Sequence, residues 1–183
     1  MKKIIILTAM LIAAICKAQT PEYTLGTELP NNIPDGCYIK DNNNILGKFT
    51  GTWVFNQNGN LFTVNLSKGL MVPIADHYRD DIQGNYKYVV NNATIVNTDN
   101  FSGNNSRIKT TFLNFGTEKI ALFFYDPERP KIGARVFLTY SNVGGVEKLH
   151  WELKVMGYLP QLPNEPPAQL DFRVPTNCEL IKQ

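Results

Sequence analysis

The sequence predicts an all-β fold, an antiparallel meander of about eight to ten strands closed into a barrel or folded as a sandwich. Three observations carry that prediction. Short runs of β-branched and aromatic residues recur along the chain, each bounded by Asn, Gly or Pro. Within those runs apolar and polar residues alternate with the period of a strand. No segment of about a dozen residues in the body of the chain shows helical spacing of its apolar side chains. Closure removes exposed strand edges, which favours the barrel over the sandwich.

The chain opens with Lys2 and Lys3, a mostly apolar run from Ile4 to Ile15, and then Cys16-Lys17-Ala18. That is the layout of a secretory signal peptide, with small residues at Cys16 and Ala18 where the peptidase reads. A membrane-spanning helix takes ~20 apolar residues, more than this run offers. Residues 1–18 are therefore expected to be cleaved, and the product exported to the periplasm, the cell surface or the medium. A lipid anchor on Cys16 fits less well, because Ala13 and Ile15 stand where a lipobox carries a Leu-like residue and a small one.

Export changes the reading of charge. The net charge of +2, from 18 basic and 16 acidic residues, includes Lys2, Lys3 and Lys17. Without them it is about −1, and no Lys/Arg cluster remains to follow phosphates, so nucleic acid is not an expected partner. Only Cys37 and Cys178 stay with the exported chain, and a pair of cysteines there predicts one disulfide joining the two ends of the domain. No Cys-x-x-Cys pair exists to begin a zinc site.

Residues 19–36, rich in Pro, Asn, Thr and Gly, read as an extended tether leading to a single domain over 37–183. Phe49, Gly51, Trp53 and Phe55 alternate with polar residues up to the turn Asn56-Gln57-Asn58-Gly59, where Asn and Gly accept positive φ. Phe62, Val64 and Leu66 line one face of the return strand. A second hairpin spans 77–98 around Asn91-Asn92. Strands over 107–115 and 119–125 join through Gly116-Thr117, and Asp126–Lys131, with two prolines, is a turn. Ala134–Tyr140 and Val146–Val155 pair across Gly144-Gly145. A proline-rich loop, Leu159–Pro167, precedes a closing strand, Leu170–Val174, and a tail containing Cys178.

Gly51-Thr52-Trp53, the run Tyr78…Asp80…Ile82…Gly84…Tyr86…Tyr88, Asp126–Gly133 and Val174–Lys182 together resemble an uncharacterised family of exported bacterial proteins, a domain of unknown function. The resemblance spans nearly all the mature chain and implies export and one β-rich domain, with no activity attached. Gly51 and Trp53 by themselves resemble the opening of the lipocalin and avidin (calycin) barrels, which implies a calycin-like barrel. In those families the Trp packs at the closed end, often against an Arg from the last strand, and Arg173 is the expected counterpart here. The avidin set of ligand-facing tryptophans is absent.

Catalytic chemistry finds little support. His77 and His150 fall on polar strand faces without a third ligand in their pattern, so no metal is expected. There is no His-Glu-x-x-His, no Gly-x-Ser-x-Gly and no phosphate loop, and no cofactor is expected. Asp80 and Asp81 are adjacent on a strand and point to opposite faces, which rules out a glycosidase-type pair. If the apolar face of that strand is interior, Asp80 lies among tyrosines, and Tyr78, Asp80, Ile82, Tyr86 and Tyr88 become candidate ligand-binding residues. A bulge at Gly84 would instead reset the phase and leave Asp80 in solvent. Ile120–Tyr125 is apolar on both faces, so it is either covered or a surface for self-association. The functional expectation is a non-enzymatic exported barrel that binds a small apolar molecule. The alternative is a surface-binding or structural module with a filled interior.

Overall fold

The computed structural model describes residues 20–110 and 118–183. The expected leader over 1–18 and the connection 111–117, with its Gly116-Thr117 turn, lie outside them. Two short strands, β1 (Glu22–Thr24) and β2 (Tyr38–Lys40), come first. A 3-10 turn, Gly47–Phe49, then leads into β3 (Gly51–Gln57), β4 (Asn60–Ile74), β5 (His77–Val90) and β6 (Ala93–Asn97). A second 3-10 turn, Gly103–Asn105, precedes β7 (Ile108–Thr110), β8 (Lys119–Phe124), β9 (Ile132–Val143), β10 (Val146–Tyr158) and β11 (Asn177–Lys182).

Eight of these strands close on themselves in the order β3-β4-β5-β7-β8-β9-β10-β11, each antiparallel to its neighbours. One closure pairs Gln83 and Gly84 of β5 with Lys109 and Ile108 of β7. The other sets Ile181 and Lys182 of β11 opposite Val54 and Trp53 of β3. The fold is thus an all-β closed barrel, consistent with the calycin type, and not a sandwich. The same edge of β5 also carries β2, in parallel, at its start and β6 at its end. The segment 19–36 therefore does more than tether, since β1 pairs with β2 and Leu25 is buried.

The hairpins follow their local chemistry. Asn58-Gly59, Asn91-Asn92 and Gly144-Gly145 all have positive φ at both turn residues, as two-residue hairpin turns require. Alternation then sends Phe62, Val64 and Leu66, and likewise Leu149, Trp151 and Leu153, into the core. On β8 the inward set is Ile120, Leu122 and Phe124, while outward-facing Phe123 lies under the Arg135 guanidinium, 5.3 Å from its ring centre. Val155 leaves the pattern at a bulge between Val155 and Gly157 and is exposed.

Two expectations about the chain's end are corrected. Leu170–Val174 is not a strand; β11 begins at Asn177, beyond Pro175, and its Cys178 faces Trp151. Cys37 and Cys178 form no disulfide with each other either, and both are buried free thiols. Cys37 immediately precedes β2, which is separated from β11 by β5, β4 and β3. Four inter-strand steps cover roughly 19 Å along the wall. A disulfide joins Cα atoms less than ~7 Å apart.

Side chains of the described residues pack against one another through the interior. Trp151 lies edge-on to Phe62 at 5.0 Å and to Phe124 at 5.9 Å, and Tyr86 stacks on Phe124 at 4.7 Å. Leu46 and Phe49 plug one end beside Trp53, whose Nε1 donates to the Phe49 carbonyl at 2.9 Å. At the other end Phe172 lies edge-on to Phe124 at 6.4 Å, and Val174, beyond Arg173, is buried.

Candidate functional site

Asp80 sits on the inward face of β5 where the strand leaves the barrel, and it is 2% exposed. The register with β4 explains its surroundings. Gly69 pairs with Asp81 and Val72 with Arg79, so Leu70 and Met71 together oppose the single residue Asp80. The bulge is therefore on β4, not at Gly84, and Met71 takes the left-handed conformation at φ 53°. That turns the Met71 amide toward Asp80 Oδ1, at 3.2 Å.

Three further groups converge on the same carboxylate. The Tyr38 hydroxyl donates to Oδ1, the Asp41 amide donates to Oδ2 at 3.0 Å, and Lys68 Nζ lies 3.7 Å from Oδ2. Lys68 also bonds Asp41 Oδ2 at 2.8 Å. Asp41, itself buried, accepts the amides of Ile45 (2.7 Å) and Leu46 (3.0 Å), which folds the Asn42–Asn44 loop and delivers Leu46 and Phe49 into the barrel end. Burial works to raise the Asp80 pKa, but the Tyr38 hydroxyl, the two amides and Lys68 outweigh it and hold the carboxyl below its ordinary value. Burial first, and then the bond to Asp80, push Tyr38 up to about 12.

Chemically this arrangement is a rivet. Asp80 Oδ1 already accepts two donors, Oδ2 accepts one with the Lys68 ammonium nearby, and Tyr38 is held as a donor, so neither is poised to take a proton from a substrate. Beside it opens a cleft of ≈ 670 Å³ lined by Thr20, Pro21, Glu22, Tyr38 and Met71. Leu70, Met71 and Tyr78 are exposed on the same hairpin.

The five residues expected to share a pocket do not converge. Tyr78 is 37% exposed, beyond the barrel. Ile82 and Tyr86 are buried in the core, and Tyr88 packs on Phe62 with its hydroxyl on Asn60 Oδ1 at 2.7 Å. Six residues of strand separate Asp80 from Tyr86, about 20 Å. The Asp80 tyrosine partner comes instead from β2. Tyr38, Asp41, Lys68 and Met71 were not found from sequence, although Lys68 shares the inward parity of Leu66 and so calls for an anion inside.

Gly51 is exposed, and Trp53 is fully buried as a barrel-end plug. The cation over its ring is Lys182 of β11, 5.3 Å from the ring centre, not Arg173. Lys182 also meets Glu147 at 2.9 Å. Arg173 lies toward the opposite end, paired with buried Asp126 through Nε at 2.8 Å and Nη2, with Glu128 at 2.8 Å, and with the Ile95 carbonyl at 3.3 Å. It clasps the segment after the proline-rich loop to β6 and to the turn after β8. Arg173 precedes β11 and leaves the loop near the far rim, which puts Trp53 out of its reach. His150 lies across from Glu179, 2.5 Å apart, and His77 meets Asp76 at 3.0 Å. Among the described residues no group of three or more His, Cys, Asp or Glu is placed to hold a metal, and no helix is long and apolar enough to cross a membrane.

The fold and these sites define a closed, eight-stranded antiparallel barrel with plugged ends and clefts on its outside. The whole chain, residues 1–183, matches the family described as a family of unknown function (DUF6705), and it belongs to that family. No curated protein and no solved structure matches it.

Proposed function

We propose that this chain is an exported, non-enzymatic binding module that uses a filled barrel as a rigid scaffold and recognises its partner on the outer wall. The packing of the described interior side chains supports the reading. Trp53, Phe62, Tyr86, Phe124 and Trp151 run through the barrel, Leu46 and Phe49 close one end, and Phe172 with Val174 covers the other. Small barrels packed in this way offer recognition surfaces outside. Export is supported by Lys2-Lys3, the Ile4–Ile15 run and the small residues at Cys16 and Ala18.

The rival reading, a small apolar ligand held near Ile82, Tyr86 and Tyr88, draws on the aromatic lining and the Gly51-Trp53 likeness. It requires stacked rings to part. Self-association through Ile120–Tyr125 has less support, because three of those side chains face inward and Arg135 covers Phe123.

Titrating the native protein with 1-anilinonaphthalene-8-sulfonate separates the two main readings. A filled barrel gives no saturable rise in dye fluorescence. Stoichiometric binding that quenches the tryptophans, with Tyr86→Ala changing the affinity, overturns the proposal in favour of an interior ligand.

A further inference from the structure

We infer that the outer wall across β3, β4 and β5 holds a binding trough for a neutral, hydroxyl-rich ligand, a saccharide. The trough encloses ≈ 310 Å³, and its lining includes Thr52, Asn65, Ser67, Gln83, Asn85 and Ser106. The inference deepens the outer-wall reading and rests on it.

Strand register builds the floor. Thr52 pairs with Asn65 and Asn65 with Asn85, so these three outward side chains form one row across the wall. Ser67 pairs with Gln83 in the next row. A convex barrel wall is normally too open to enclose a ligand, and here the segment after β6 raises a rim. The Asn85 side chain fastens it, with Nδ2 donating to the Phe101 carbonyl and Oδ1 accepting the Arg107 amide at 3.3 Å. The 3-10 turn Gly103–Asn105 then holds Ser102 and Ser106 along the edge.

The hydrogen-bonding inventory points to a ligand. Ser106 is 4% exposed, lines the trough, and its hydroxyl has no hydrogen-bond partner among the described residues. Its Oγ is not one of the buried unpartnered side-chain atoms, so it opens into the trough, where a ligand hydroxyl can take the place of water. The Gln83 amide is likewise without a partner among the described residues, and Asn65 uses only Oδ1, which accepts from Thr52 at 2.9 Å. Amides present donor and acceptor side by side, as sugar hydroxyls do.

Other ligand classes fit less well. Among the described residues no charged side chain lines the trough, so neither a phosphate backbone nor an acidic ligand finds a counter-charge there. Lys182, whose stem passes beside Gly51, commits its ammonium to Glu147. An apolar ligand would strand the amides and hydroxyls. An extended peptide would look for free backbone groups, but β3, β4 and β5 are paired to one another along this stretch.

The test is a titration of the isotope-labelled protein with neutral hexasaccharides (cellohexaose, maltohexaose, mannohexaose and N-acetylated chitohexaose), with a heparin-derived hexasaccharide as the charged control. The expected result is saturable binding of at least one neutral sugar, with amide shifts confined to 51–52, 65–67, 83–85 and 102–106. Binding should be the same at low and high salt. Gln83→Ala and Ser106→Ala should each weaken it about three- to tenfold, the worth of one neutral hydrogen bond, while the melting temperature stays unchanged. Failure of all four neutral sugars, binding of the charged control alone, shifts elsewhere, or unaltered affinity in both variants overturns the inference. The dye titration reads the interior independently, so an empty trough and a hollow barrel are distinguishable failures.

Discussion

Replacing Asp80 by alanine removes the acceptor on which the Tyr38 hydroxyl, the Asp41 and Met71 amides and Lys68 converge. Removing one partner of a buried charge pair costs ~3–5 kcal/mol, because the other is left without compensation. Here Lys68 keeps Asp41 at 2.8 Å, and exposed Met71 regains water, so the lower bound applies. A loss of about 3 kcal/mol in a domain of this size lowers the melting temperature by about 6–12 °C. Circular dichroism melts of wild type, Asp80→Ala, Lys68→Met and the double variant measure it. Coupling between the two sites is expected, since they share partners. A shift under about 2 °C, together with additivity within ~0.5 kcal/mol, refutes the rivet. The pH dependence supplies an independent check. Asp80 has a folded pKa below its unfolded value of about 3.9. Its stabilisation is therefore complete above that value and is lost as pH falls through the folded pKa. The gap in melting temperature between wild type and Asp80→Asn should be widest near neutrality and close in acid.

Trp53→Ala should cost ~3–5 kcal/mol, read as a lowered urea midpoint, because the side chain is fully buried and plugs a barrel end; an unchanged midpoint would contradict that placement. Arg173→Ala leaves Asp126 buried without its partner, so the clasp should loosen and limited proteolysis should cut within 159–172 faster than in wild type. Cys37 and Cys178 are buried, with burial raising both thiol pKa values and pushing Cys178 up to about 12. Neither should alkylate in the native state at neutral pH, and both should alkylate in denaturant without reductant; a mass consistent with a disulfide would refute this.

Much of the wall was legible in the sequence because it depends on local rules. Period-two alternation assigned Phe62, Val64, Leu66, Leu149, Trp151 and Leu153 to the interior, and Asn58-Gly59, Asn91-Asn92 and Gly144-Gly145 marked hairpins through the conformations those residues tolerate. Alternation also turned Asp80 inward, though not toward the tyrosine it meets. Tyr38 lies 42 residues away and reaches Asp80 only because β2 docks in parallel on the edge of β5. The phase-shifting bulge fell at Leu70–Met71 on the partner strand, where nothing local distinguishes it from continuous strand. The cation over Trp53 proved to be Lys182, because closure of the barrel pairs β11 with β3 and carries Arg173 to the other end. Local alternation sets which side of its strand a residue faces. Which side chains meet there depends on register, bulges and barrel closure, and those are decided by burial summed over the whole wall.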